Sequence, residues 1–73
     1  MPLTCEEQCA QTYYSAEAAE WERYQKARAA CNGDSSCLAS AAAEHNAISQ
    51  QISADYAHCL WLCAHHGAAG RRG

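Results

Sequence analysis

The sequence predicts an all-α fold: a long antiparallel two-helix hairpin stapled by three disulfides. Three observations predict it. Six cysteines are spaced as a palindrome, a turn signal lies at its midpoint, and neither flanking stretch contains a helix breaker.

The cysteines stand at 5, 9, 31, 37, 59 and 63, with intervals of 4, 22, 6, 22 and 4. The residue numbers of the outer, middle and inner pairs each total 68. A chain that folds back at residue 34 therefore sets the members of each pair at one height. Of the many connectivities open to six cysteines, this symmetry selects Cys5–Cys63, Cys9–Cys59 and Cys31–Cys37. Helical phase agrees. At about 100° per residue, 22 steps and 4 steps both return to within about 40° of the starting direction, so the three cysteines of each half share a stripe. Cys5 and Cys9, one turn apart, have Cβ atoms about 5–6 Å apart. A disulfide needs about 3.8 Å, so each partner belongs on the other helix.

The first helix, about 5–31, opens on a capping box of Thr4 and Glu7, with Glu6 and Glu7 in its first turn. Asn32-Gly33 stops it. In the turn, 32–35, or just after it, Asp34, Ser35 or Ser36 caps the second helix, about 36–66. His65 and His66 suit its last carbonyls and Gly67 ends it. The domain is thus 1–66, and "GAAGRRG", 67–73, is expected to be a flexible tail.

Composition explains the need for staples. The large aliphatic residues are Leu3, Leu38, Leu60, Leu62, Ile48 and Ile52, and seventeen of the 73 residues are alanine. So small a core needs disulfides, a metal or a partner. Six cysteines in 73 residues point to an oxidising compartment, extracytoplasmic or secreted, or else to a metal site. Met1-Pro2-Leu3-Thr4-Cys5 shows no signal peptide, which suits a mature form with an added Met or a cytosolic chain with reduced thiols. No stretch is long and apolar enough to cross a membrane. A net charge of −3 with scattered basic residues argues against nucleic acid and cationic membrane-lytic roles.

Between the staples the seam holds Ala16, Ala27, Ala41, Ile48 and Ile52, small enough for close helix approach. Glu20, Arg23 and His45 fall near its middle, where they are expected to form a polar layer that sets register. The two broad sides differ. Tyr13, Trp21, Tyr24, Leu38, Tyr56 and Leu60, with Tyr14 further round, make one side aromatic. Thr12, Gln8, Lys26, Glu44, Asp55, Gln51 and His58, with Leu62 as an exception, make the other polar. An apolar patch of this kind marks an interface, and Tyr and Trp suit one. Two such hairpins packed face to face would form a four-helix bundle.

No catalytic residues are expected. C-x3-C is not a C-x-x-C redox motif, there is no nucleophile elbow or phosphate loop, and two helices leave little room for a small-molecule substrate. No cofactor is expected. The alternative is a metal-binding hairpin with Zn or Cu held by Cys5, Cys9, Cys59 and Cys63. It leaves Cys31 and Cys37 unexplained.

"CEEQC" and "CLWLC" resemble the twin C-x3-C arrangement of disulfide-linked helical hairpins, as in the small mitochondrial intermembrane-space translocase chaperones and the plant α-hairpinins. In both, the first cysteine of one pair joins the last of the other, matching Cys5–Cys63 and Cys9–Cys59. The sequence departs in the 49 residues between its motifs and in the extra Cys31–Cys37 pair. The resemblance implies a binding or chaperone-like hairpin without an active site. The resulting expectation is a non-enzymatic interaction protein that binds itself, as a homodimer, or a protein partner through its aromatic side, as a secreted defence peptide, inhibitor or chaperone-like module.

Overall fold

A computed structural model describes residues 2–72, with side chains to His65. Two helices follow in order, α1 (Cys5–Ala30) and α2 (Ser35–Arg72). They pack antiparallel in one layer, with Cα extents of 57 × 23 × 9 Å. The 38 residues of α2 at about 1.5 Å each account for the long dimension.

The ends form as their residues dictate. Thr4 accepts from the Glu7 backbone N–H at 3.0 Å, and Glu7 Oε1 accepts from the Thr4 N–H at 2.9 Å. This reciprocal pair satisfies two amides that a helix start leaves without partners. At the turn, Asn32 and Gly33 take φ of 53° and 82°. Both lie in the left-handed region that Asn and Gly tolerate and most residues do not. Asp34 then caps α2: its Oδ2 accepts from the Cys37 N–H at 2.8 Å, and its carbonyl accepts from Leu38 at 2.9 Å. Of the three candidate caps, Asp34 is the one used, so α2 begins at Ser35 rather than 36.

The far end differs from the reading of Gly67 as a stop. α2 continues through Gly67 to Arg72. One glycine inside a helix costs about 1 kcal/mol, and the alanines and arginines around it favour helix. His65 reaches back, its Nδ1 2.7 Å from the Trp61 carbonyl. Of the expected flexible tail, 67–73, the backbone is helical to Arg72, while Gly73 and the side chains from His66 onward lie outside the described residues.

All three disulfides are those the palindrome selects. Cys5–Cys63 and Cys9–Cys59 each hold Cα atoms 5.8 Å apart, and Cys31–Cys37 holds them 5.4 Å apart. The buried apolar positions are Cys9, Cys31, Ala41 and Cys63. Among the described residues no large side chain is fully buried. The core is sulfur and methyl groups, thin enough for helices this close and too thin to stabilise them by burial alone. The three disulfides fit an oxidising compartment. Among the described residues no helix is long and apolar enough to cross a membrane.

Candidate functional site

Midway along the hairpin one charged group is buried. Glu20 is 5% exposed, and a carboxylate there requires partners. Arg23, one turn on, supplies two: Nε to Oε1 at 2.7 Å and Nη2 to Oε2 at 2.8 Å. Across the seam, His45 donates from Nδ1 to Glu20 Oε2 at 2.8 Å. Arg23 also crosses, with Nη1 donating to Glu44 Oε1 at 2.9 Å. The Arg23 fork holds the Glu20 carboxyl at a pKa of about 2, against the opposing effect of burial and with help from His45. Glu20 raises Arg23 in turn. No buried side-chain nitrogen or oxygen is left without a partner among the described residues. The expected layer of Glu20, Arg23 and His45 is therefore hydrogen-bonded throughout. Glu44 is its unforeseen fourth member, a residue the sequence reading assigned only to the polar side. Opposite-sign residues of matched height on facing helices were the available signal.

The aromatic side is built around this layer. Tyr24 stacks on the His45 ring with centroids 4.2 Å apart, and Trp21 meets the same imidazole edge-on at 6.2 Å. Arg28 lies over the Tyr24 ring, 5.5 Å from its centroid. Nearer the open end, Tyr13 packs on Tyr56 at 4.8 Å. Glu17, one turn on, raises the Tyr13 phenol pKa above its ordinary value, chiefly as a hydrogen-bond acceptor for the neutral phenol and then through its negative charge. Between these clusters Ser49 donates to Glu17 at 3.3 Å. A narrow groove of about 90 Å³ runs beneath Tyr13 and Tyr56, lined by Cys9, Ala16, Ile52 and Cys59.

Of the six expected interface residues, Tyr13, Tyr24 and Tyr56 are half-buried because they pack across their own hairpin. Leu38 and Leu60 are half-buried as well. Trp21 is 51% exposed, and the neighbouring Tyr14 is 69% exposed. Tyr14 meets Tyr13 edge-on at 5.4 Å. A second aromatic row was not anticipated. On the outer surface of α2, Trp61 stacks on His65 at 3.8 Å and lies parallel to His58 at 6.1 Å. Its i, i+3, i+7 spacing is the helical signal that marks it.

The four cysteines of the metal alternative converge in part: the Sγ atoms of Cys5, Cys9 and Cys63 lie within 4.8 Å of one another. All are committed to disulfides, whereas a metal requires thiolates. The convergence is as well explained by two stacked rungs.

The chain matches no family model, no curated protein and no solved structure.

Proposed function

We propose that the protein is a non-enzymatic interaction module of an oxidising compartment, a stapled hairpin that binds a second copy of itself or a protein partner through its aromatic side. The observation that carries this reading is the exposure of two rings on that side, additional to the separate row on the outer surface of α2 where Trp61 is 52% exposed. Trp21 and Tyr14 remain 51% and 69% exposed on a single-layer fold that fully buries no large side chain among the described residues. Rings held by the hairpin, as Tyr24 is by His45 and Arg28, lose little freedom when a partner covers them. Secretion, inhibition and chaperone-like capture are forms this module can take. No side chain is assigned a catalytic role.

Magnitudes bound the dimer. Full burial of a large side chain is worth about 1.5–3 kcal/mol, so covering the exposed halves of Tyr14 and Trp21 on both chains yields about 3–6 kcal/mol. Association costs about 4–15 kcal/mol. A stable pair must therefore also cover Tyr13, Leu38, Tyr56 and Leu60, which means the whole side.

The test is sedimentation of the parent, of Tyr14→Ser with Trp21→Ser, and of a control with Lys26→Ser and Asp55→Ser. The expected result is a dimer for parent and control and a monomer of unchanged helicity for the aromatic variant. A parent that is monomeric at every accessible concentration removes self-association. A protein partner whose capture survives the aromatic substitutions removes the proposed face.

A further inference from the structure

At the open end of the hairpin the two outer disulfides do more than lie parallel. Cys9 Sγ and Cys63 Sγ, which belong to different disulfides, are 3.5 Å apart. That is at the edge of the about 3–3.5 Å separation of a near-attack arrangement. The four sulfurs thus form a connected series, bent at Cys63: Cys5 bonded to Cys63, Cys63 touching Cys9, Cys9 bonded to Cys59. Access along it is graded. Cys5 is exposed, Cys63 and Cys9 are buried, and Cys59 is half-buried. The inner disulfide, Cys31–Cys37, lies at the opposite end of the hairpin.

We infer that the two outer disulfides form a thiol–disulfide relay, in which an external thiol attacking at exposed Cys5 releases a thiol at Cys59 through the buried Cys63–Cys9 contact. Exchange proceeds by attack of a thiolate on a disulfide sulfur. The external thiolate attacks Cys5 Sγ, the Cys5–Cys63 bond breaks, and Cys63 leaves as a thiolate with the electron pair. Cys63 then attacks Cys9 Sγ, a Cys9–Cys63 bond forms, the Cys9–Cys59 bond breaks, and Cys59 leaves as a thiolate that takes a proton from water. One external thiol and two disulfides become a mixed disulfide at Cys5, a Cys9–Cys63 disulfide and a Cys59 thiol. Disulfide number is conserved. With a dithiol as the external reagent, its second thiol displaces Cys5 as a free thiol and the protein gains two electrons. The hairpin stays closed throughout, because Cys9–Cys63 still joins the two helices. A small thiol or dithiol is the substrate class, since only exposed Cys5 need be reached.

Two single variants isolate the internal step. Cys59→Ser leaves Cys9 as a thiolate source beside the Cys5–Cys63 disulfide. Cys5→Ser leaves Cys63 beside Cys9–Cys59. Each keeps one outer disulfide and the inner one. After incubation near pH 8, acid quench and alkylation, cleavage by a Glu-specific protease and chymotrypsin separates Cys5 from Cys9 and Cys59 from Cys63. The expected product is the same in both: a Cys9–Cys63 peptide in at least a tenth of the molecules, with the alkylated thiol moved to Cys5 in the first variant and Cys59 in the second. In the parent treated with less than one equivalent of glutathione, the adduct is expected on Cys5 and the alkylated thiol on Cys59. The relay is overturned if Cys59→Ser holds only Cys5–Cys63 with Cys9 alkylated and Cys5→Ser only Cys9–Cys59 with Cys63 alkylated. Links from either variant to Cys31 or Cys37 also overturn it, because they report scrambling in an opened chain. Far-ultraviolet dichroism of the same samples identifies that case.

Discussion

Removing the outer disulfides one at a time and together should reveal that they act as a nested pair. Cys9–Cys59 closes a loop with a sequence separation of 50. Cys5–Cys63, with a separation of 58, lies just outside it. When Cys9–Cys59 is intact, adding Cys5–Cys63 closes only the short ring formed by one turn of each helix and the two bridges. Loop entropy assigns about 4 kcal/mol to the first closure and about 2.5–3 kcal/mol to a ring of about ten residues. Either rung alone does nearly all of the long closure. Paired variants, Cys5→Ser with Cys63→Ser and Cys9→Ser with Cys59→Ser, leave no thiol free to exchange. Each is expected to lose about 2.5–3 kcal/mol, and the four-fold variant about 6–7 kcal/mol, more than the two losses added. A core with no fully buried large side chain among the described residues supplies about 3–5 kcal/mol at best, so the four-fold variant should be unfolded at 25 °C. Urea denaturation followed by helical dichroism reads all three. Two results refute the reasoning: paired variants that each lose about 4 kcal/mol and add, which means independent loops, or a four-fold variant that still melts cooperatively near the parent, which means the staples are not what closes the hairpin.

Three further outcomes follow from the layer, the Tyr13 cluster and the turn. Glu20 has a folded pKa of about 2 against an ordinary 4.5, so its contribution is present above about pH 4.5 and is lost as pH falls toward 2. Urea midpoints measured from pH 7 to 2 should decline over that window in the parent and decline less in Glu20→Gln, whose midpoint at pH 7 is already lower; equal slopes would locate the acid sensitivity elsewhere. At the alkaline end, the raised Tyr13 phenol contributes stability below about pH 10 that is lost as pH climbs through its folded value. Tyr13→Phe should flatten that limb of the same profile. Gly33→Ala meets no atom within 4 Å, yet Gly33 sits at φ 82°, so the cost is purely conformational at about 1–2 kcal/mol; an unchanged melting temperature would mean the turn relaxes to another conformation.

The sequence by itself determined the pairing of the cysteines, the two helices and the place where they reverse. In an antiparallel hairpin, height is a linear function of residue number, so Cys5–Cys63, Cys9–Cys59 and Cys31–Cys37 follow from counting. The same arithmetic put Arg23 level with His45 and Glu20 level with Ile48, and Thr4 with Glu7 at a helix start is a local rule that needs no partner. Direction around each helix axis is a different quantity. Phase error grows with every turn, and side chains as long as Arg23, Trp21 and Tyr24 reach well beyond their own Cβ position. Only the tertiary structure therefore decided that Arg23 bridges to Glu44, that Tyr24 stacks on His45, and that Tyr13 packs on Tyr56 instead of facing outward. It also decided that Asp34, among three candidates, caps α2, and that α2 continues through Gly67. The contact between Cys9 and Cys63 is the clearest case. Those residues are one turn out of register by count, and they meet because two disulfides stacked one helical turn apart bring diagonal sulfurs together.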